Sequence, residues 1–314
     1  METILITGGA GFLGRHLAVK LKDRYRVILA SRNNGNNQLA QVKTGCIVTP
    51  MDITNINSVN DVMNEYKPDI IIHAAATKFV DISEQYPMEC IDINVIGSQN
   101  IARIAMEKKV KKFVAISTDK AAPPVGNIYG HSKAIMERMC CSLDKKNDTR
   151  FVSVRFGNIA WSTGSVFPIW QRMVKTNGLI ESTGPDQRRF FFLADDAADL
   201  VITAMENIDT LHGGILSLKM KAAQIREILN VWTKEQQVSW KQIAARPGDK
   251  MDEVLVGAIE LPYTRELTIN NRDYYFIHFE KKQENNLKDE IASYNAERLT
   301  DEEISRIINN PPVL

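Results

Sequence analysis

Short apolar runs alternate with longer stretches of mixed polarity through the first half of the chain. Ile4-Leu5-Ile6-Thr7 comes first, then a helical stretch over 12–22, then the runs 25–30 and 46–52. A helix is expected near 58–66, followed by an apolar run at 69–75, a long helical stretch at 91–109 and a second run at 112–118. Another helix over about 130–145 leads into 151–158. Runs rich in β-branched residues, each followed by helical spacing, describe βαβ units and an α/β fold with a doubly wound parallel sheet. No internal repeat is present.

Beyond residue 158 the alternation becomes irregular, punctuated by Gly164, Pro168, Gly178, Gly184 and Pro185. We expect a Rossmann-type domain over 1–158 and a smaller C-terminal substrate-binding lobe mainly over 159–280, interleaved with it. Residues 281–314 form a tail rich in Glu, Lys and Asn, with a weakly amphipathic stretch at 300–309 before Pro311-Pro312. A peripheral helix and a partly disordered tail both suit that composition.

Composition narrows the classes. The 314 residues are 44% hydrophobic and 25% charged, as in an ordinary globular protein. A formal net charge of +1 argues against electrostatic capture of nucleic acid or an anionic membrane. Cys46, Cys90, Cys140 and Cys141 have no CxxC spacing, so neither a disulfide framework nor a metal site is expected, and a reducing compartment is. With no signal peptide and no apolar run near the ~20 residues of a spanning helix, a cytoplasmic location is expected.

Candidate chemistry begins directly after the first strand. Residues 7–14 read TGGAGFLG, and Gly8, Gly11 and Gly14 have the spacing that brings backbone against a pyrophosphate at a helix N-terminus. Gly9, Gly11 and Gly14 also satisfy GxGxxG. Gly8, Gly11, Phe12, Leu13 and Gly14 are therefore expected to contact a dinucleotide, as are Tyr129 and Lys133 farther along the chain. The second strand ends Ala30-Ser31-Arg32-Asn33, with no acid for a ribose 2′-hydroxyl. Ser31 and Arg32 suit a 2′-phosphate instead, which favours NADP over NAD. Asp52 and Ile53 are placed beside the adenine, and Ala74, Ala75 and Ala76 on the nicotinamide side. His73 alone reads as a packed residue.

Residues 117–133 read STDKAAPPVGNIYGHSK. Tyr129 and Lys133 are spaced i, i+4 and share a helix face, so the ammonium is expected to favour the phenolate of a general base. Thr118 ends the preceding strand, where it can bond the reacting oxygen. Asp119 and Lys120 form a second acid/base-capable pair, more than an alcohol oxidation needs.

At these residues the chain resembles the extended short-chain dehydrogenase/reductase family, and most nearly its UDP-N-acetylglucosamine 4,6-dehydratases of the 5-inverting type. The similarity runs through 73–100, STDKAA at 117–122, VRFGNIAWSTGSVFPIW at 154–170 and RPGDKMDEVL at 246–255. It implies that Tyr129 takes the proton of the sugar 4-hydroxyl while hydride passes from C4 to NADP. It further implies Lys120 as the base at C5 and Asp119 as the acid that releases the 6-hydroxyl. Lys78, Asn94, Asn158, Arg189 and Arg246 fall where the family binds substrate, and two long helices where it pairs into a homodimer or larger homo-oligomer.

Three departures from the family pattern stand out. The segment between Asp119 and Tyr129 is one residue longer, Trp161 brings bulk beside the lost Ser-Arg, and Asp249 replaces glutamate. A 5-retaining or other nucleotide-sugar 4,6-dehydratase and a 4-epimerase are the competing enzymes, the latter leaving Asp119 and Lys120 surplus. A non-catalytic NADP-sensing protein would be expected to have lost the intact Tyr129/Lys133 pair.

Overall fold

The strand Thr3–Thr7 (β1) is buried at every position, as a strand covered on both faces must be. The computed structural model describes residues 1–145, 147–244, 250–284 and 287–312. In it β1 lies within a nine-stranded sheet. β2 (Arg26–Ser31), β3 (Ile47–Pro50), β4 (Ile70–His73), β5 (Lys112–Ile116) and β6 (Arg150–Arg155) are parallel to it, and β7 (Ile215–Leu218) adds parallel to β6. β8 (Thr264–Ile269) and β9 (Arg272–Ile277) extend that edge antiparallel, so the order is β8-β9-β7-β6-β5-β4-β1-β2-β3. Asn270 and Asn271, at φ of 51° and 60°, make the turn between β8 and β9, since asparagine tolerates left-handed backbone.

Side-chain alternation sorts the core into two layers. Ile4 and Ile6 face Leu17 of α1 (Phe12–Leu21) on one side. On the other, Leu5 packs with Val59, Ile101 and Met136, from α3 (Ile56–Tyr66), α4 (Ser98–Glu107) and α5 (Ile128–Leu143). The remaining long helix of the first half, α2 (Asn34–Thr44), flanks β3, while α6 (Ala194–Glu206) brings Val201 and Ala197 to the first layer. Strand order reverses between β1 and β4. That switch point opens a crevice at the C-terminal ends of the parallel strands, where open α/β sheets take ligands.

The expected long helix at 91–109 is interrupted. An α-turn at Pro87–Ile91 leads into a π-helical turn over Asp92–Gly97 before α4 begins. The π turn seats Gly97 against Ile53, where an added Cβ would lie 2.7 Å from the isoleucine Cδ1.

Beyond residue 158 a third apolar cluster gathers Trp161, Phe167, Trp170, Ile180, Trp232 and Ile304. Trp161, expected to bring bulk, is 7% exposed in this cluster, and its Nε1 donates to the Ile307 carbonyl at 2.8 Å. Its ring centroid lies 5.6 Å from those of Phe167 and Trp232. The tail contributes α7 (Asp301–Ile308), whose Ile304, Ile307 and Ile308 are buried and whose Thr300 and Glu303 form a reciprocal cap. The peripheral helix is thus the alternative the structure adopts for 301–308.

Candidate active site

The backbone leaving β5 continues its pairing with the β6 side: the Ser117 N–H donates to the Val154 carbonyl and the Asp119 N–H to that of Phe156. Thr118 then caps a short 3₁₀ turn over Asp119–Ala121, its hydroxyl accepting from the Lys120 N–H at 3.4 Å. Asn127 caps α5 by accepting from the Gly130 N–H at 2.7 Å. Gly130 is required there, because a Cβ would lie 2.2 Å from the Lys120 carbonyl oxygen. This backbone contact brings Tyr129 beside Thr118, Asp119 and Lys120.

Asp119 is 1% exposed. Its Oδ1 accepts from the Thr118 hydroxyl at 2.9 Å and from the Lys120 Nζ at 3.1 Å. Its Oδ2, like the Ser117 hydroxyl, is buried with no hydrogen-bond partner among the described residues, an arrangement that suits a polar ligand. Burial raises the Asp119 carboxyl above its ordinary range, against the pull of Lys120. Burial would lower Lys120, but Asp119 and then Glu253 outweigh it and hold the ammonium above its ordinary value. Glu253, 6% exposed, places Oε1 3.3 Å from the Lys120 Nζ and 3.9 Å from the Arg189 Nε. Glu253 lies within RPGDKMDEVL, whose resemblance to the family was a signal for it, but only the folding of residues 251–255 against the 119–121 turn gives it a partner.

Tyr129 is pushed up to about 12 by burial, with the Lys120 charge and the Thr118 hydroxyl pulling the other way. Lys133, expected to favour the phenolate, makes its hydrogen bond among the described residues elsewhere. It is 3% exposed, its Nζ turns to the Met136 Sδ at 3.6 Å, and burial lowers it to about 8, with Glu137 opposing. An ammonium facing a thioether lacks the oxygen acceptors that a cofactor ribose would offer.

The loop at 8–14 also fits a dinucleotide. Gly8 is left-handed at φ +66°, and a Cβ there would lie 2.8 Å from the Ala75 backbone. A Cβ on Gly14 would lie 2.5 Å from the Gly9 carbonyl oxygen, so α1 starts hard against the loop. α1 has no side-chain cap and no acid in its first turn, leaving N–H groups to an anion. Phe12 and Leu13 pack partly into the neighbouring apolar clusters. Ser31 donates its hydroxyl to Asn37 at 2.6 Å, while Arg32 stands exposed beyond the end of β2. Asp52 accepts twice from Thr54, and the Ile53 carbonyl accepts from Asn100. Ala74, Ala75 and Ala76 follow β4, with the Ala74 N–H on the Thr7 carbonyl.

His73 is fully buried between the Thr7 and Ser98 hydroxyls, each 2.8 Å away, and burial lowers it to about 3. Ser98 donates onward to the Asn94 carbonyl at 2.6 Å. This neutral chain braces the crevice floor.

Two expected substrate residues have other work. Asn94, 0% exposed, accepts from the Thr77 N–H and donates to the Thr77 carbonyl and the Ser132 hydroxyl. Its side chain is saturated by protein and fixes the wall after β4 rather than reaching a sugar. Arg189 donates to the Arg188, Lys250 and Met251 carbonyls and to the Gln187 amide oxygen. It clamps the segment that carries Glu253. Lys78 donates to the Thr163 carbonyl at 2.6 Å, and Asn158 lies half-buried in a short strand beside Phe191. Arg246 and Asp249 lie outside the described residues. Among those residues no cluster of His, Cys, Asp and Glu is placed to hold a metal ion, and no helix is long and apolar enough to cross a membrane.

Comparison with known proteins agrees with this geometry. A family model described as polysaccharide biosynthesis protein matches residues 4–271. A UDP-glucose 4-epimerase of Rickettsia bellii is 31% identical, across 98% of this chain and 96% of its own length. A UDP-N-acetylglucosamine 4,6-dehydratase (inverting) of Campylobacter jejuni is 30% identical, across 88% of this chain and 82% of its own. The X-ray structure of Pen from Bacillus thuringiensis aligns with a TM-score of 0.90 at 29% identity, covering 100% of this chain and 98% of that one. The chain belongs to the polysaccharide biosynthesis protein family and is an enzyme of the nucleotide-sugar dehydratase/epimerase branch of the extended short-chain dehydrogenases/reductases.

Proposed function

We propose that the protein is an NADP-dependent UDP-N-acetylglucosamine 4,6-dehydratase of the inverting type. The observation that carries this reading is the buried Asp119–Lys120 contact of 3.1 Å beside Tyr129. Bound NADP would supply reversible hydride chemistry at C4 and C6. The loop at 8–14 and the α1 N-terminus would hold its pyrophosphate, Lys133 its ribose, and Arg32 the 2′-phosphate that separates it from NAD.

Tyr129, in its phenolate form, takes the 4-hydroxyl proton as C4 becomes a ketone, which acidifies the proton on C5. One proton passing from Lys120 to Asp119 converts their ion pair into an amine and a carboxylic acid, with no change in total charge. The amine then removes the C5 proton while the acid protonates the 6-hydroxyl, which leaves as water as the C5–C6 double bond forms. Lys120 and Asp119 end as an ion pair again. With hydride supplied at C6, one proton from solvent to the opposite face of C5, matched by release of the proton Tyr129 took, would complete a UDP-2-acetamido-2,6-dideoxy-hexos-4-ulose. Each proton transfer by a positioned group contributes about 10²–10⁴-fold.

The Campylobacter jejuni relative's name supports the dehydratase, and the Rickettsia bellii relative's name favours a 4-epimerase. An epimerase would need Tyr129 but not the Asp119–Lys120 pair. Incubation with UDP-N-acetylglucosamine in D₂O, followed by NMR, separates the two. A new methyl signal with deuterium at C5 is expected, and its configuration decides inverting or retaining. A product changed only at C4 overturns the dehydratase.

The homo-oligomer and cytoplasmic location belong to the same proposal. Ile91 at the end of the Pro87–Ile91 turn, Ile96 in the π turn and Ile135 on α5 are each at least 40% exposed, and these three elements pack side by side. Such a surface suits pairing with a second copy.

A further inference from the structure

Lys120 is gripped from two sides, and only one grip lies on its own turn. Asp119 reaches it from position 119, while Glu253 comes from the segment entering the strand Val254–Val256. Glu253 is itself fixed: its N–H donates to the Ser293 hydroxyl at 3.1 Å, and the Ser293 N–H donates to its carbonyl at 2.8 Å. Arg189 braces the same segment through the Lys250 and Met251 carbonyls and faces the Glu253 carboxylate at 3.9 Å. Its nearer position to Lys120 than to Arg189 directs Glu253 at the ammonium.

We propose that Glu253 is the positioning residue of the elimination, holding the Lys120 Nζ against Asp119 and setting where their shared proton lies. This inference rests on the dehydratase reading. The charged or titratable groups facing Lys120 are Asp119 on its own turn, Tyr129 on α5, Arg189 on the strand Arg188–Phe192, and Glu253. Of these, Glu253 is the carboxylate with no direct part in the chemistry. Its negative charge strengthens Lys120 as a proton acceptor at C5 and favours the protonated form of Asp119. Tyr129 feels Lys120 and Asp119 directly, so oxidation at C4 depends on Glu253 only at second hand.

The test compares wild type with Glu253→Gln and Glu253→Asp, each with NADP and UDP-N-acetylglucosamine. Removing the charge lowers the proton affinity of both Lys120 and Asp119, so both limbs of the pH profile for 6-deoxy product move to lower pH in Glu253→Gln. On the alkaline side a shift of about one pH unit lowers product formation about tenfold, while reduced nicotinamide still forms in the first turnover and persists longer. Glu253→Asp, which keeps the charge, returns the profile towards wild type. Superimposable profiles for Glu253→Gln and wild type overturn the proposal, as do equal profiles for the Gln and Asp variants. Equal loss of first-turnover reduction and of product, with a lowered melting temperature, also overturns it by showing a purely structural part. Wild-type protein that yields only a C4 epimer overturns the dehydratase reading and this inference together.

Discussion

Lys133 shows how a site residue can oppose the stability of its own fold. Burial lowers it from 10.5 to about 8. As pH falls from the unfolded value through the folded one, the unfolded chain takes its proton first, so Lys133 costs the free protein stability across that window and below it. The cost reaches about 3 kcal/mol. Lys133→Met is expected to raise the melting temperature of the free protein at neutral pH while abolishing NADP binding, read by differential scanning calorimetry and by fluorescence titration. NADP binding to wild type above pH 8 is expected to take up a proton, measurable by calorimetry in buffers of different ionisation enthalpy. Tyr129→Phe is expected to reduce product formation by about 10²–10⁴-fold at unchanged NADP affinity. The motif residues were legible because their chemistry is written in residue type and spacing. The roles of Asn94, Arg189 and Glu253 were not, because their partners at Thr77, Met251 and Lys120 are neighbours only through the fold.

Among the elements, α5 carries the most. Its N-terminus rests on the backbone of the 119–121 turn through Gly130, and its outer face carries Ile135, 51% exposed. Gly130→Ala forces a Cβ into the Lys120 carbonyl, so the turn and Tyr129 must separate. A loss of about 1–3 kcal/mol in urea denaturation is expected, together with a larger proportional loss of activity. On the outer face, Ile96→Glu combined with Ile135→Glu is expected to convert a dimer into a monomer in sedimentation velocity with the fold retained. The periodicity of the sequence located this helix and its neighbour at 91–109 but missed the π turn. Polar Asn94 and Ser98 point inward there towards Thr77 and His73, a choice that hydrophobic spacing does not record.

At the scale of the molecule, the parallel sheet and the crevice at its switch point were readable from the alternation of runs. The completion of the sheet by β7, β8 and β9 was not, since those strands come from the irregular part of the sequence. Besides the β6–β7 pairing, a fully buried ion cluster binds the two parts. Arg155 donates to both oxygens of Glu137, both oxygens of Glu260 and the Leu255 carbonyl. Removing one carboxylate leaves buried donors unmet, so Glu260→Ala is expected to cost about 3–5 kcal/mol in urea denaturation.

The same cluster gives the order of synthesis a meaning. Arg155 leaves the ribosome with Glu137 already made, but Leu255 and Glu260 follow 100 and 105 residues later. Until they arrive, the guanidinium edge they serve has only water for a partner, and the strand bearing it has reason to remain open at that edge. A nascent chain that stops short of residue 260 thus carries every motif of the dinucleotide site yet lacks the contacts that close it. Such a fragment is expected to stay open to proteases at that edge, so the last quarter of the chain acts as the latch on the first half.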